Sequence, residues 1–144
     1  MEFASVNSSS VTLSRAAQAA VVAHARAEAP NECCGLLLGR ASSIEEAART
    51  KNVASNRYSR FVIDPKDHID LRRAARARAL DVVGFYHSHP RSMPVPSPAD
   101  LAEAAYPGHF YLIVSLLAEP PEVAVYRLDD SGGNFRRLPV VTVG

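Results

Sequence analysis

An apolar stretch of strand length at residues 80–86 runs without a break into His87-Ser88-His89-Pro90. This junction constrains the chain more than any other feature. In a strand, side chains at i and i+2 point to the same face. His87 and His89 therefore project together wherever the extended backbone reaches that far. Two imidazoles on one side are two of the three protein ligands of an open zinc site. The third is then a nearby carboxylate or another histidine. Asp100 stands eleven residues after His89, beyond a loop holding Pro90, Pro94 and Pro96. It falls in the first turn of a helix opened by Ser97-Pro98-Ala99-Asp100.

The same letters have plainer readings. Ser-Pro-Ala-Asp is also an ordinary helix start, with a serine cap and an acidic residue three positions on. Asp64-Pro65-Lys66-Asp67 has that layout with no histidine pair before it, so Asp100 could be a helix-start residue and nothing more. His-x-His alone is a weak metal signal. Other metal chemistries fit worse. The helical His-Glu-x-x-His pattern is absent, and a deaminase needs His-x-Glu followed by Cys-x-x-Cys. A barrel amidohydrolase needs about 250 residues, and this chain has 144. A cupin would place a Glu soon after the histidines, where Met93 and Pro94 stand.

Three protein ligands leave a fourth position for water, whose pKa zinc lowers to about 7. Amide hydrolysis also needs a base to move that proton to the leaving amine. Glu32 is the best candidate. It stands at the head of the apolar run CCGLLLG at 33–39, and a charged group beside a buried strand is costly without a partner or a purpose. Taken alone, it could be a strand-end carboxylate. Ser97 could donate to the developing oxyanion.

The rest of the chain supplies a mixed α/β frame. Ser14 caps an expected helix to about residue 28, which Pro30 ends. Asp64 and Pro65 open a second helix to about residue 79, and the third runs from Ser97 to about 105. Strands are expected at 11–13, 33–39, 45–50, 60–63, 80–86, 110–116, 123–128 and 135–143. The helices pack on a central sheet that is largely antiparallel near its end. No repeat or linker divides the chain, so residues 1–144 read as one domain with a loose polar end at 1–10. A hydrophobic fraction of 47% suffices for one sizeable core. Net charge of +1 gives no push toward nucleic acid or a membrane surface. Cys33 and Cys34, the two cysteines, are adjacent and poorly placed to bridge. With no signal-like or membrane-spanning run, they point to a cytoplasmic protein.

Glu32, then His87-Ser88-His89-Pro90, then Ser97 and Asp100 resemble the JAMM motif of MPN+ metallopeptidases. That motif has a distant Glu, His-Ser/Thr-His-Pro, seven residues to a Ser, and two more to an Asp. Residues 30–39 are also similar to the segment bearing the catalytic Glu in bacterial members. The resemblance spans roughly residues 13–126. It implies that His87, His89 and Asp100 ligate Zn2+, that Glu32 deprotonates the water, and that Ser97 steadies the tetrahedral intermediate. It implies a curved mixed sheet flanked by helices, similar to cytidine deaminases. Family members cleave peptide or isopeptide bonds after the Gly-Gly tail of ubiquitin or ubiquitin-like proteins. Short bacterial ones are associated with ubiquitin-like sulfur-carrier proteins, the substrate expected here. A non-catalytic MPN scaffold and a metal hydrolase of small amides are the alternatives. The basic cluster Arg72, Arg73, Arg76 and Arg78 reads as a solvated helix face. The loop at 50–60, with Asn52, Asn56, Arg57 and Tyr58, could face a substrate but reads first as ordinary surface, and Tyr86, next to the histidines, could pack near the metal.

Overall fold

Where the last strand breaks decides the shape of the sheet. The computed structural model describes residues 10–144; the expected loose end at 1–10 falls, but for Ser10, outside the described residues. In chain order the elements are β1 (Val11–Ser14), α1 (Arg15–Glu28), β2 (Cys34–Arg40), β3 (Ser43–Thr50), α2 (Pro65–Ala77) and β4 (Asp81–His89). Then come α3 (Pro98–Glu103), β5 (Phe110–Ser115), β6 (Glu122–Leu128), β7 (Phe135–Leu138) and β8 (Val140–Val143). One strand was expected at 135–143. Pro139 splits it, because proline has no N–H for a ladder and the chain leaves the sheet there. The order across the sheet is β7-β6-β5-β4-β2-β3-β1-β8. β7 and β8 are thus opposite edges joined by a single residue. The sheet curls enough for Pro139 to carry the chain from one edge to the other, and Val11 N–H donates to the Pro139 carbonyl at 3.0 Å where β8 takes up its pairing with β1.

The curl wraps around α1. Ser14 caps this helix, its hydroxyl oxygen accepting from Ala17 N–H at 3.0 Å. Its small apolar residues Ala17, Val21 and Ala25 recur at helical spacing and bury on one side. They join Val11, Leu13, Leu37, Leu112 and Val125 in one core. The other face of the sheet carries a second core of Leu36, Leu38, Val82 and Phe85, closed by Ala75 of α2. The alternation Leu36, Leu37, Leu38 feeds both. α2 starts as expected, with Asp64 as cap and Pro65 in the first turn.

β4 is the strand that positions the site. It pairs antiparallel with β2 through Cys34↔His87 and parallel with β5 through His89↔Ser115. β5 holds it to its last residue, and β2 as far as Ser88, whose N–H donates to the Cys33 carbonyl at 3.1 Å, so the extended backbone reaches both histidines. The strand expected at 60–63 does not form; only an isolated bridge joins Asn52 to Ile63. The Asn52 side chain replaces the ladder. Its amide donates to the carbonyls of Glu32 and Arg60, and its oxygen accepts from Ala54 and Val62 N–H, all at 2.9–3.0 Å. Among the described residues, no helix is long and apolar enough to cross a membrane.

Gly84 is where β4 and β5 approach most closely. A Cβ there would lie 2.1 Å from the Phe110 carbonyl oxygen, so Gly84→Ala must push the strands apart. The expected loss is about 3 kcal/mol, the upper part of the overpacking range. Urea unfolding checks it, and an unchanged midpoint would contradict the close approach.

Candidate metal centre

His87 and His89 leave the same face of β4, and Asp100 reaches them from α3. His87 Nε2 and His89 Nε2 each lie 3.1 Å from Asp100 Oδ2, and 3.2 Å from each other. Two features hold Asp100 in place. Ser97 and Asp100 form a capping box, in which Ser97 Oγ accepts from Asp100 N–H at 3.0 Å and Asp100 Oδ2 accepts from Ser97 N–H at 2.9 Å. The helix-start and ligand readings of Asp100 are therefore not exclusive, since one oxygen serves both. His89 Nδ1 donates to the Met93 carbonyl at 2.8 Å. A carbonyl can only accept, so the ring proton sits on Nδ1 and the Nε2 lone pair faces inward. His87 is fixed by stacking on Phe61, with ring centres 4.3 Å apart.

The donor set fits a zinc ion. A tetrahedral site with bonds of about 2.0–2.1 Å has ligand–ligand edges of about 3.3–3.4 Å. The three atoms form a nearly equilateral triangle with edges only slightly shorter, one face of such a tetrahedron. Two imidazole nitrogens and one carboxylate oxygen suit zinc and leave a fourth vertex free. These are the residues among those described whose ligand atoms gather closely enough to hold a metal ion. All three are buried or nearly so. Electron-rich atoms pressed together in this way call for a cation. Burial pushes Asp100 upward, but the bonds from both imidazoles outweigh it and hold the carboxyl well below the usual carboxylate range. Burial also lowers both histidines. It prevails at His87, whereas Asp100 and the Met93 carbonyl carry His89 above its ordinary value.

Glu32 belongs to this face. The β2–β4 register pairs Cys34 with His87, and the Ser88 N–H to Cys33 carbonyl bond of 3.1 Å carries it one step further. The next step sets Glu32 opposite His89, on the same side of the sheet. The residue as a whole is only 9% exposed. Burial raises its pKa to about 7, with Asp100 adding to the rise and His89 and Arg91 opposing it. Three neighbours fix this segment, two of them, Asn52 and Arg57, from the loop at 50–60. Ser88 Oγ accepts from Cys33 N–H at 2.8 Å, Asn52 holds the Glu32 carbonyl, and Glu32 N–H donates to the Arg57 carbonyl at 2.8 Å. Arg91 spans the gap: its guanidinium donates to the carbonyls of Pro30 and Tyr58 at 2.8 and 2.7 Å and stacks on the Tyr58 ring. The loop read as ordinary surface is thus part of the site.

Two hollows flank the triangle. On the β5 side, Phe61, Val62, Tyr106, Tyr111 and Ile113 wall an apolar cavity that reaches His87 and Asp100. From Glu32 a polar groove leads away from the triangle past Asn31, Asn52 and Arg57 toward Arg49 and His24 of the opposite face. Tyr86 lies elsewhere. Its side chain turns to the opposite face, where its hydroxyl meets His24 Nδ1 at 2.7 Å, so it is no neighbour of the metal. Cys33 and Cys34 are buried free thiols, pushed up by burial to about 12 and about 11. They are inert packing residues. In the basic cluster, Arg72 bonds His68 and Arg78 pairs with Glu46.

The model of prokaryotic homologs of the JAB domain matches residues 14–129. The desampylase of Haloferax volcanii is 36% identical over 141 residues, covering 94% of this chain and 98% of its own. The CysO-cysteine peptidase of Mycobacterium tuberculosis is 32% identical over 125 residues, covering 85% of each. A solution structure of a protein from Desulfitobacterium hafniense superposes with a TM-score of 0.82 at 27% identity, covering 92% of each chain.

Asp67 and Asp100 are both helix-start carboxylates, but Asp67 is tied to Lys51 at the surface. Asp100→Ala should weaken zinc binding and Asp67→Ala should leave it unchanged; elemental analysis after dialysis separates them. The raised Glu32 pKa has a second consequence in chelator-treated protein. Between pH 4.5 and about 7 the folded state binds the Glu32 proton and the unfolded state releases it. Stability therefore falls as pH rises through that window. Glu32→Gln removes this dependence. The variant should match wild type near pH 4 and exceed it by up to about 3 kcal/mol at pH 8, in denaturant unfolding at both pH values.

Proposed function

The chain belongs to the family of prokaryotic homologs of the JAB domain, its peptidase relatives make it a metal-dependent hydrolase, and from there we propose how its residues divide the work. His87, His89 and Asp100 hold the zinc, Glu32 is the general base, and Ser97 is the oxyanion donor. The observation that carries this reading is the triangle of two Nε2 atoms and one Oδ2 with edges of 3.1–3.2 Å, beside a buried carboxyl.

When bound, zinc supplies a Lewis acid that acidifies water and polarises the scissile carbonyl. The protein's own groups do the rest. Glu32 takes a proton from the attacking water and hands it to the leaving nitrogen. A carboxylate held in place beside the metal face can serve both halves of that transfer. Ser97 Oγ already accepts from Asp100 N–H, which leaves its hydroxyl proton to donate to the tetrahedral oxygen. Asn52, Ser88 and Arg91 keep the base and the ligand strand in register.

The substrate is the C-terminal tail of a ubiquitin-like sulfur-carrier protein, cut at a peptide or isopeptide bond. The similarity to a desampylase and a CysO-cysteine peptidase along nearly the whole chain supports this. A non-catalytic scaffold accounts less well for a motif with every position filled. We place the enzyme in the cytoplasm, where two adjacent free cysteines remain reduced.

Glu32→Gln should keep stoichiometric zinc and lower kcat by about 10²–10⁴-fold, the range for a positioned base. The assay pairs elemental analysis with release of an amino acid or a lysine amide from a tailed ubiquitin-like carrier. Zinc retained with undiminished cleavage would remove Glu32 from the mechanism. Equal turnover of a short amide lacking the tail would remove the carrier as substrate.

A further inference from the structure

Three successive carbonyls in the loop after the metal strand are each taken by a side chain from a different part of the fold. Ser115 Oγ donates to Ser92 O at 2.5 Å, His89 Nδ1 to Met93 O at 2.8 Å, and Tyr126 OH to Pro94 O at 2.7 Å. Surface loops ordinarily give such groups to water. Arg91 anchors the start of this loop, but at its tip Met93 and Val95 are 61% and 50% exposed and contribute little to holding it. The backbone is what the protein grips. Both outer donors are buried and lie on the face of the sheet that carries the histidines. Ser115 sits beside His89 in the parallel β4–β5 pair, and Tyr126 stands on β6 opposite Tyr111. Ser115 Oγ also accepts from Leu117 N–H, so its proton is free to go to Ser92.

The middle carbonyl of the three orients His89. Its position depends on its neighbours, because Ser92 O and Pro94 O sit one peptide away on either side. We infer that Ser115 and Tyr126 are positioning residues of the metal centre. By fixing the carbonyls that flank Met93 O, they hold the His89 ring with its Nε2 lone pair on the ion. Groups that orient a ligating histidine typically change metal affinity by 10–100-fold when lost. This inference rests on His89 being a ligand, as proposed above.

Tyr126→Phe removes one oxygen and keeps the ring, which packs edge-on against Phe135. Ser115→Ala removes the other donor independently. Tyr86→Phe is the control, since it deletes a buried hydroxyl bond on the opposite face. Zinc affinity is measured by competition with a chelator, and the cobalt-substituted proteins are compared by visible absorption. Tyr126→Phe and Ser115→Ala should each bind zinc about 10-fold more weakly and shift the cobalt bands, while Tyr86→Phe binds as wild type. The inference is overturned when neither variant loses more affinity than Tyr86→Phe. His89→Ala is measured alongside. If it retains wild-type zinc, the ligand assignment itself falls, which is a different outcome from an ineffective clamp.

Discussion

Everything in the site depends on β4 remaining a paired strand through its last residue. A histidine pair spaced by two shares a face only while the backbone stays extended. β2 and β5 enforce that extension from both sides, up to Cys34↔His87 and His89↔Ser115. An edge strand could fray at its end, and the triangle would open with it. Here the end of the strand is also tied by the Ser88 N–H to Cys33 carbonyl bond and the Leu116 N–H to His89 carbonyl bond. His87 and His89 therefore come from a part of the sheet that cannot easily move.

The surroundings of the triangle differ on its two sides, and the difference follows from strand order. Toward β5 and β6 the face is lined by Ile113, Tyr111 and Phe135 and is apolar. Toward β2 its neighbours are Glu32 and Asn52, at the head of a polar groove. Glu32, the proposed base, lies on the polar side, where water and a leaving amine are at home. The charge balance within the triangle is equally asymmetric. His87 is stacked and dry, whereas His89 shares the field of Asp100 and Glu32. A cation between them satisfies all three inward-facing atoms at once.

Much of this was legible before any coordinates. Helix starts at Ser14, Asp64 and Ser97 follow from cap chemistry that acts within three residues, and each is found where the sequence puts it. The histidine pair follows from strand period alone. What escaped reading depends on contacts between distant segments. Residues 60–63 have strand-like letters but no partner strand, and the Asn52 side chain takes over their pairing. Tyr86 is adjacent to His87 in sequence, and for that reason faces the other way. Arg91 and Ser88 carry no role that their letters alone disclose. Their roles appear only once Pro30, Cys33 and Tyr58 are brought beside them. The break at Pro139 was visible as a letter, but what lies beyond it was not, because strand length does not say which edge the chain will join.

That break has a bearing on behaviour at high concentration. Exposed sheet edges invite pairing with neighbouring molecules, and long flat ones are the most dangerous. By cutting its final stretch in two, the chain leaves only four residues on each outer margin, Phe135–Leu138 and Val140–Val143. Neither margin offers a foreign strand more than a brief handhold, and the bend between them turns the two in different directions. A single imino acid thereby guards an apolar-rich protein against self-templated aggregation.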